Sequence, residues 1–250
     1  MNARNLIIAH RGESFDAPEN TLASVKLAWK KNADAVEIDI RMTKDNQIVV
    51  IHDSNIKRIW GQNKTVKNST LSELKQINIL NSGYPNEKIP TLKEIYATVP
   101  ANKKLIVEIK TGSEIIPFLK SETEISGLNN DQIEFISFNF DTVSNIKKEM
   151  PQYKMLWIRQ LKNYLFHKIF PFKIDEIIKR AKDCSLDGFD LYAGKIIKPE
   201  FVDKIKSSGL SVYLWTVNEP KKAKMFFDMG IDAITTDRAQ WMKEQLTNQL

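Results

Sequence analysis

Short runs of aliphatic and β-branched residues alternate along the chain with longer stretches whose apolar positions recur every three or four residues. The strand-like runs are 6–9, 35–40, 105–109, 133–138, 153–158, 188–192, 211–216 and 233–235. Helical periodicity covers 21–31, 91–99, 141–149, 174–183, 199–208, 220–229 and 240–246. Gly209 and Gly230 stand where a helix is expected to stop. Eight strands alternating with helices over 250 residues predict a parallel (β/α)8 barrel, the TIM barrel, rather than an open doubly wound sheet, which uses fewer strands. One stretch breaks the alternation. A further strand-like run, 48–52, follows the second one. Residues 53–90 come next, rich in turn formers such as Asn63, Gly83 and Pro85, with a short helical piece at 71–75. This is too long for a βα loop. Residues 54–90 are therefore expected to be a small insertion within a single domain spanning 1–250, because both flanks are needed to close the barrel.

Composition narrows the class. Hydrophobic residues make up 42% and charged residues 27% of the chain, enough for a core and a solvated surface, which excludes a disordered or collagen-like chain. The single cysteine, Cys184, excludes a disulfide-stapled domain. The first apolar run is only Leu6–Ala9, against roughly 7–15 residues for a signal peptide and roughly 20 for a membrane span, so a cytoplasmic protein is expected. The net charge is +6, without a block of five like charges. Nucleic acid is therefore not an expected partner, while the mild excess suits an anionic small molecule or lipid.

A barrel of this kind works at the C-terminal ends of its strands. There the sequence gathers His10-Arg11-Gly12, Glu37 and Asp39, His52-Asp53, Glu108 and Lys110, and Trp215-Thr216. Residues two apart on a strand share a face, so Glu37 and Asp39 point together into the barrel mouth, as do Glu108 and Lys110. Each carboxylate alone reads equally well as a solvated strand end or a partner of Arg11 or Lys110. Three together call for a positive charge, and an all-oxygen set suits Mg²⁺ or Ca²⁺. Two histidines at neighbouring strand ends can act as general base and general acid, and the Arg11 fork suits a phosphate. The set reads as metal-assisted cleavage of a phosphate ester.

In this order the residues resemble the glycerophosphodiester phosphodiesterase family. The motifs are His10-Arg11-Gly12, Pro18-Glu19-Asn20-Thr21, Glu37-Ile38-Asp39, Thr43-Lys44-Asp45, His52-Asp53, Glu108-Ile109-Lys110 and Trp215-Thr216-Val217-Asn218, with the likeness running from about Leu6 to Trp241. The resemblance implies a TIM barrel with an insertion. It also implies Glu37, Asp39 and Glu108 as metal ligands, His10 and His52 as the acid–base pair, and Arg11 and Lys110 as phosphate contacts. Trp215 becomes a wall of the glycerol pocket, and Glu19-Asn20-Thr21 a buttress of the His-Arg-Gly turn. The implied reaction is hydrolysis of a small-molecule glycerophosphodiester to an alcohol and sn-glycerol 3-phosphate. Which histidine is acid and which base, and whether water or a glycerol hydroxyl attacks, stay open.

Three other readings stand beside this one. The aromatic stretch 164–172 suits an acyl chain or a membrane surface, as a lysophospholipase D would need. A sugar-phosphate isomerase would place glycine-rich phosphate loops at the last two strands, where Trp215–Asn218 and Thr235–Asp237 have no glycine. A nucleic-acid binder would interleave aromatics with basic residues in a recognisable motif, and none is present.

Overall fold

The computed structural model describes residues 5–80, 83–160 and 174–247. Among these residues nine strands form one sheet: β1 (Leu6–Ala9), β2 (Ala35–Met42), β3 (Ile48–Val50), β4 (Lys104–Ile109), β5 (Ile133–Ser137), β6 (Lys154–Arg159), β7 (Gly188–Tyr192), β8 (Ser211–Trp215) and β9 (Ala233–Thr236). All but β3 run parallel and close a ring in the order β1-β2-β4-β5-β6-β7-β8-β9, with β9 paired back to β1. This is the TIM barrel that the alternation predicts. The eight barrel strands coincide with the eight runs read from the sequence, to within one or two residues at their ends.

The helices are α1 (Leu22–Lys30), α2 (Lys57–Trp60), α3 (Leu71–Lys75), α4 (Leu92–Tyr96), α5 (Ile116–Glu124), α6 (Phe140–Glu149), α7 (Ile174–Asp183), α8 (Pro199–Lys206), α9 (Pro220–Asp228) and α10 (Ala239–Thr247). Local chemistry starts several of them. Thr21 and Ser24 cap one another at α1, and Thr70 with Glu73 and Thr91 with Glu94 do the same at α3 and α4, each satisfying amides left orphaned by the first turn. The sequence reading has no helix at α5. Its buried positions, Ile116, Leu119 and Thr123, include a polar residue, and a proline sits in its first turn. A Pro at that position removes no intrahelical hydrogen bond, so the apparent breaker is a helix start.

The period-2 alternation of the strands separates two apolar layers. Val36, Ile38, Ile40, Val107 and Ile109 face the helices, where they pack with Val25, Ala28, Ile95 and Val143. Each such fully buried Val or Ile contributes about 1.5–3 kcal/mol. Ile8, Ala35, Ile106, Ile136, Leu156, Ile158, Tyr213 and Ala233 fill the barrel interior. Below them Glu134 accepts from Lys104 Nζ at 2.7 Å and from Tyr213 Oη at 2.8 Å, while Lys154 Nζ donates to Tyr213 Oη at 2.9 Å. A buried carboxylate with both oxygens bonded closes that end of the barrel without an orphan.

β3 folds back antiparallel on β2. Val49 of this strand and, beyond it, Ile51, Ile56, Trp60, Val66, Leu74, Ile77, Ile79 and Ile89 form an apolar cluster distinct from both barrel layers. The aromatic stretch 164–172 lies outside the described residues.

Candidate active site

The parallel register sets Asp39 of β2 beside Glu108 of β4. Glu37, one pleat earlier, shares their inward face. The three carboxylates are buried, and each offers an oxygen within 4.8 Å of the others. Asp39 is held from both sides. Asn20 donates Nδ2 to Asp39 Oδ2 at 2.8 Å and accepts the Asp39 amide at 3.0 Å. Arg11 Nε approaches Asp39 Oδ2 at 3.1 Å and Lys110 Nζ approaches Oδ1 at 3.1 Å. Lys110 Nζ also donates to Glu108 Oε1 at 2.6 Å. Glu37 Oε2 accepts the Arg11 amide at 2.9 Å, while Glu37 Oε1 is buried with no partner.

Two cations do not balance three carboxylates, and the carboxylates show it. Burial and the charges of Asp39 and Glu108 push Glu37 well above the usual carboxylate range. Burial and Asp39 push Glu108 up to about 7. Burial opposes ionisation of Asp39 as well, but Lys110 and Arg11 outweigh it and hold that group at about 2. An all-oxygen cluster in which Glu37 Oε1 and Asp39 Oδ1 are buried without a hydrogen bond, with an excess of negative charge, fits a hard divalent cation.

Both histidines line the same cavity, of about 220 Å³, with Arg11, Glu37, Glu108 and Lys110. Each is tethered through Nδ1 to a carboxylate: His10 to Asp237 Oδ1 at 2.6 Å, His52 to Asp53 Oδ1 at 2.8 Å. That tether fixes the ring and leaves Nε2 for the cavity. Burial, together with the charges of Lys110 and Arg11, depresses the His52 pKa more than Asp39 and Asp53 raise it, which favours the neutral ring. Burial also disfavours the Asp237 anion, but bonds from His10 and Asn218 bring its pKa below the usual range. Asn218 makes its bond through Nδ2 at 2.6 Å.

The turn after β1 is specific. Arg11 and Gly12 both have positive φ, 54° and 84°. A Cβ on Gly12 would lie 2.5–2.7 Å from atoms of Ser24, so only glycine fits there. Glu19 accepts from Arg11 Nη1 at 2.9 Å and from both Arg58 terminal nitrogens, at 2.9 and 2.7 Å. Arg58 Nε donates to Asp53 at 2.6 Å. Trp215 lines the cavity and stacks edge-on with Phe138 and Tyr192, ring centroids 5.7 and 5.5 Å away.

All eight residues singled out in the sequence, His10, Arg11, Glu37, Asp39, His52, Glu108, Lys110 and Trp215, thus meet at one mouth. Three groups at the site went unassigned: Asp237, Arg58 and Asp190. Residues 10–240 match the Glycerophosphoryl diester phosphodiesterase family. The chain belongs to this family of phosphodiester hydrolases. Other glycerophosphodiester phosphodiesterases resemble it over almost their whole length. That of Caldanaerobacter subterraneus subsp. tengcongensis is 31% identical, covering 94% of each chain. Among solved structures, a phosphodiesterase of Oleispira antarctica in complex with the product sn-glycerol-3-phosphate is 25% identical with a TM-score of 0.85, covering 97% of this chain and 96% of that one. The glycerophosphodiester phosphodiesterase of Thermotoga maritima is 26% identical with a TM-score of 0.78, covering 98% of this chain and 99% of that one. Among the described residues no helix is long and apolar enough to cross a membrane.

Proposed function

We propose that the protein hydrolyses small-molecule glycerophosphodiesters to an alcohol and sn-glycerol 3-phosphate. The observation that carries this reading is the meeting of two histidine–carboxylate pairs, two cations and a cluster of three buried carboxylates at one cavity, in a family member similar to a phosphodiesterase that holds that product. Glu37, Asp39 and Glu108 would hold a divalent cation, Mg²⁺ or Ca²⁺, which when bound polarises the phosphoryl oxygens and offsets their charge. Arg11 and Lys110 face the same mouth and orient the phosphate from the opposite charge sign. One imidazole takes the proton of the attacking oxygen through Nε2 and the other gives a proton to the departing alcohol; their carboxylate tethers keep the tautomers suited to that exchange. Trp215 walls the pocket that receives the glycerol. Residues 54–90 act as an insertion of the one catalytic barrel, supported by their separate apolar cluster and by the Arg58 bridge to Glu19.

The test is release of glycerol 3-phosphate from sn-glycero-3-phosphocholine, with and without a chelator. Chelator-sensitive release of glycerol 3-phosphate is the expected result. Release of phosphocholine instead, or no turnover of any glycerophosphodiester with Mg²⁺ or Ca²⁺ present, overturns the reading.

A further inference from the structure

Asp190 is a carboxyl that the phosphate chemistry leaves unused. It is fully inward on β7 and lines the cavity, 4% exposed. Its Oδ1 is buried without a hydrogen-bond partner. The charge acting on it is Glu108, of like sign, and this adds to burial in pushing its pKa well above the carboxylate range. A buried, unpartnered polar group destabilises a fold unless something outside the protein completes it. Its strand neighbours do not. The register places Ile158 on one side and Tyr213 on the other, and the Tyr213 hydroxyl is committed to Glu134. The indole N–H of Trp215, on the next strand and lining the same cavity, is likewise buried and unpartnered.

Position indicates what completes it. In the ring of eight strands β7 stands opposite β2, four steps away in either direction. Asp190 therefore faces the Glu37–Asp39 end of the site across the cavity. With the phosphate held near Arg11 and Lys110, the far side receives the part of the substrate most distant from phosphorus. In a glycerol 3-phosphoryl group that part is the terminal hydroxyl, which both donates and accepts.

Resting on the phosphodiesterase reading above, we infer that Asp190 binds the terminal hydroxyl of the glycerol moiety and thereby sets the preference for glycerol diesters over diesters that lack this group. It is a specificity residue, not one that exchanges protons with the phosphate.

The experiment compares sn-glycero-3-phosphocholine with its 1-deoxy analogue, 2-hydroxypropyl phosphocholine, which retains the hydroxyl next to the reacting end. Wild type is expected to favour the glycerol diester by about 10- to 100-fold in kcat/KM, the scale set by leaving a buried carboxyl without its hydroxyl partner. Asp190→Ala should lose most of that ratio, mainly through a higher KM for the glycerol diester, while the analogue moves far less. Asp190→Asn, which preserves shape, should fall between. A purely structural role for Asp190 would move stability and leave the ratio intact. Equal turnover of both diesters by wild type, or an undiminished ratio in a folded Asp190→Ala or Asp190→Asn, overturns the inference without touching the phosphodiesterase reading. Turnover of neither diester by wild type overturns that reading itself.

Discussion

At the residue scale the turn after β1 is where backbone and chemistry meet. Arg11 spends its amide on Glu37 and its guanidinium on Glu19 and Asp39, and it can do so only because the chain turns through two left-handed residues. A methyl on Gly12 would strike Ser24, whose hydroxyl also caps α1 and donates to the Arg11 carbonyl. Gly12→Ala should therefore lower stability by about 1–3 kcal/mol, from overpacking and left-handed strain together. Denaturant titration checks this, and loss of activity should accompany it. Asp237 tests the proton chemistry separately. Asp237→Asn keeps the shape but removes the anion that fixes the His10 ring. It should lower kcat by roughly 100-fold, a share of the 10²–10⁴ that positioned proton transfer supplies. An unchanged kcat would remove Asp237 from the proposed mechanism. No local signal points to Asp237. It lies 227 positions from His10 in the chain, at the end of the last strand, and only closure of the ring brings the two together.

At the element scale the site follows from β2 and β4 lying side by side in one register. The spacing of Glu37, Asp39, Glu108 and Lys110 already shows which side chains share the inner face, because strand alternation is a local rule. It cannot show that Asp39 and Glu108 stand level, since register belongs to the pairing of two strands. Nor does the pattern reveal α5, whose buried face borrows a threonine, or Asp190, whose hydrophobic neighbours Phe189 and Leu191 make the strand legible while nothing marks the acid between them as unpartnered. The level stacking of carboxylates has a pH consequence. Glu37 is raised well above the usual range and Glu108 to about 7, so the metal-free protein carries protons there at neutral pH that the unfolded chain releases. The stability of metal-free protein should accordingly fall as pH rises from about 4.5 through about 7, by up to about 3 kcal/mol for Glu108 alone at roughly 1.4 kcal/mol per pKa unit. A cation entering the cluster must displace the same protons, so its affinity should rise across this interval, with proton release measurable by calorimetry in buffers of different ionisation enthalpy. Affinity independent of pH between 6 and 8 would contradict the assignment of these two glutamates as ligands. Glu37→Gln should weaken binding of the cation and activity together.

At the scale of the whole molecule the question is how an insertion with its own apolar cluster is kept in register with the barrel mouth. Arg58, in α2 of the insertion, answers it. It donates to Asp53, the carboxylate that orients His52, and makes a two-pronged bond to Glu19, which also receives Arg11. One guanidinium thus ties the insertion to both histidine-bearing strand ends. Burial disfavours the Asp53 anion, and the bonds from Arg58 and His52 overcome that and lower its pKa. The Arg58 side chain is 48% exposed, and exposed ion pairs contribute only about 0–1 kcal/mol to stability. Trp60, two residues on, is buried at 3% in the insertion's apolar cluster, where truncation of such a side chain costs about 3–5 kcal/mol. The two neighbours should separate cleanly. Arg58→Ala is expected to leave the denaturation midpoint almost unmoved yet lower kcat about 10-fold or more, because freeing Asp53 loosens the ring proposed to transfer the proton. Trp60→Ala is expected to shift the midpoint strongly. Denaturant melts and initial rates on the same preparations decide between positioning and mere attachment: an Arg58→Ala variant that loses as much stability as Trp60→Ala, or one with an unaltered kcat, shows that the bridge only fastens the insertion and does not set the catalytic geometry.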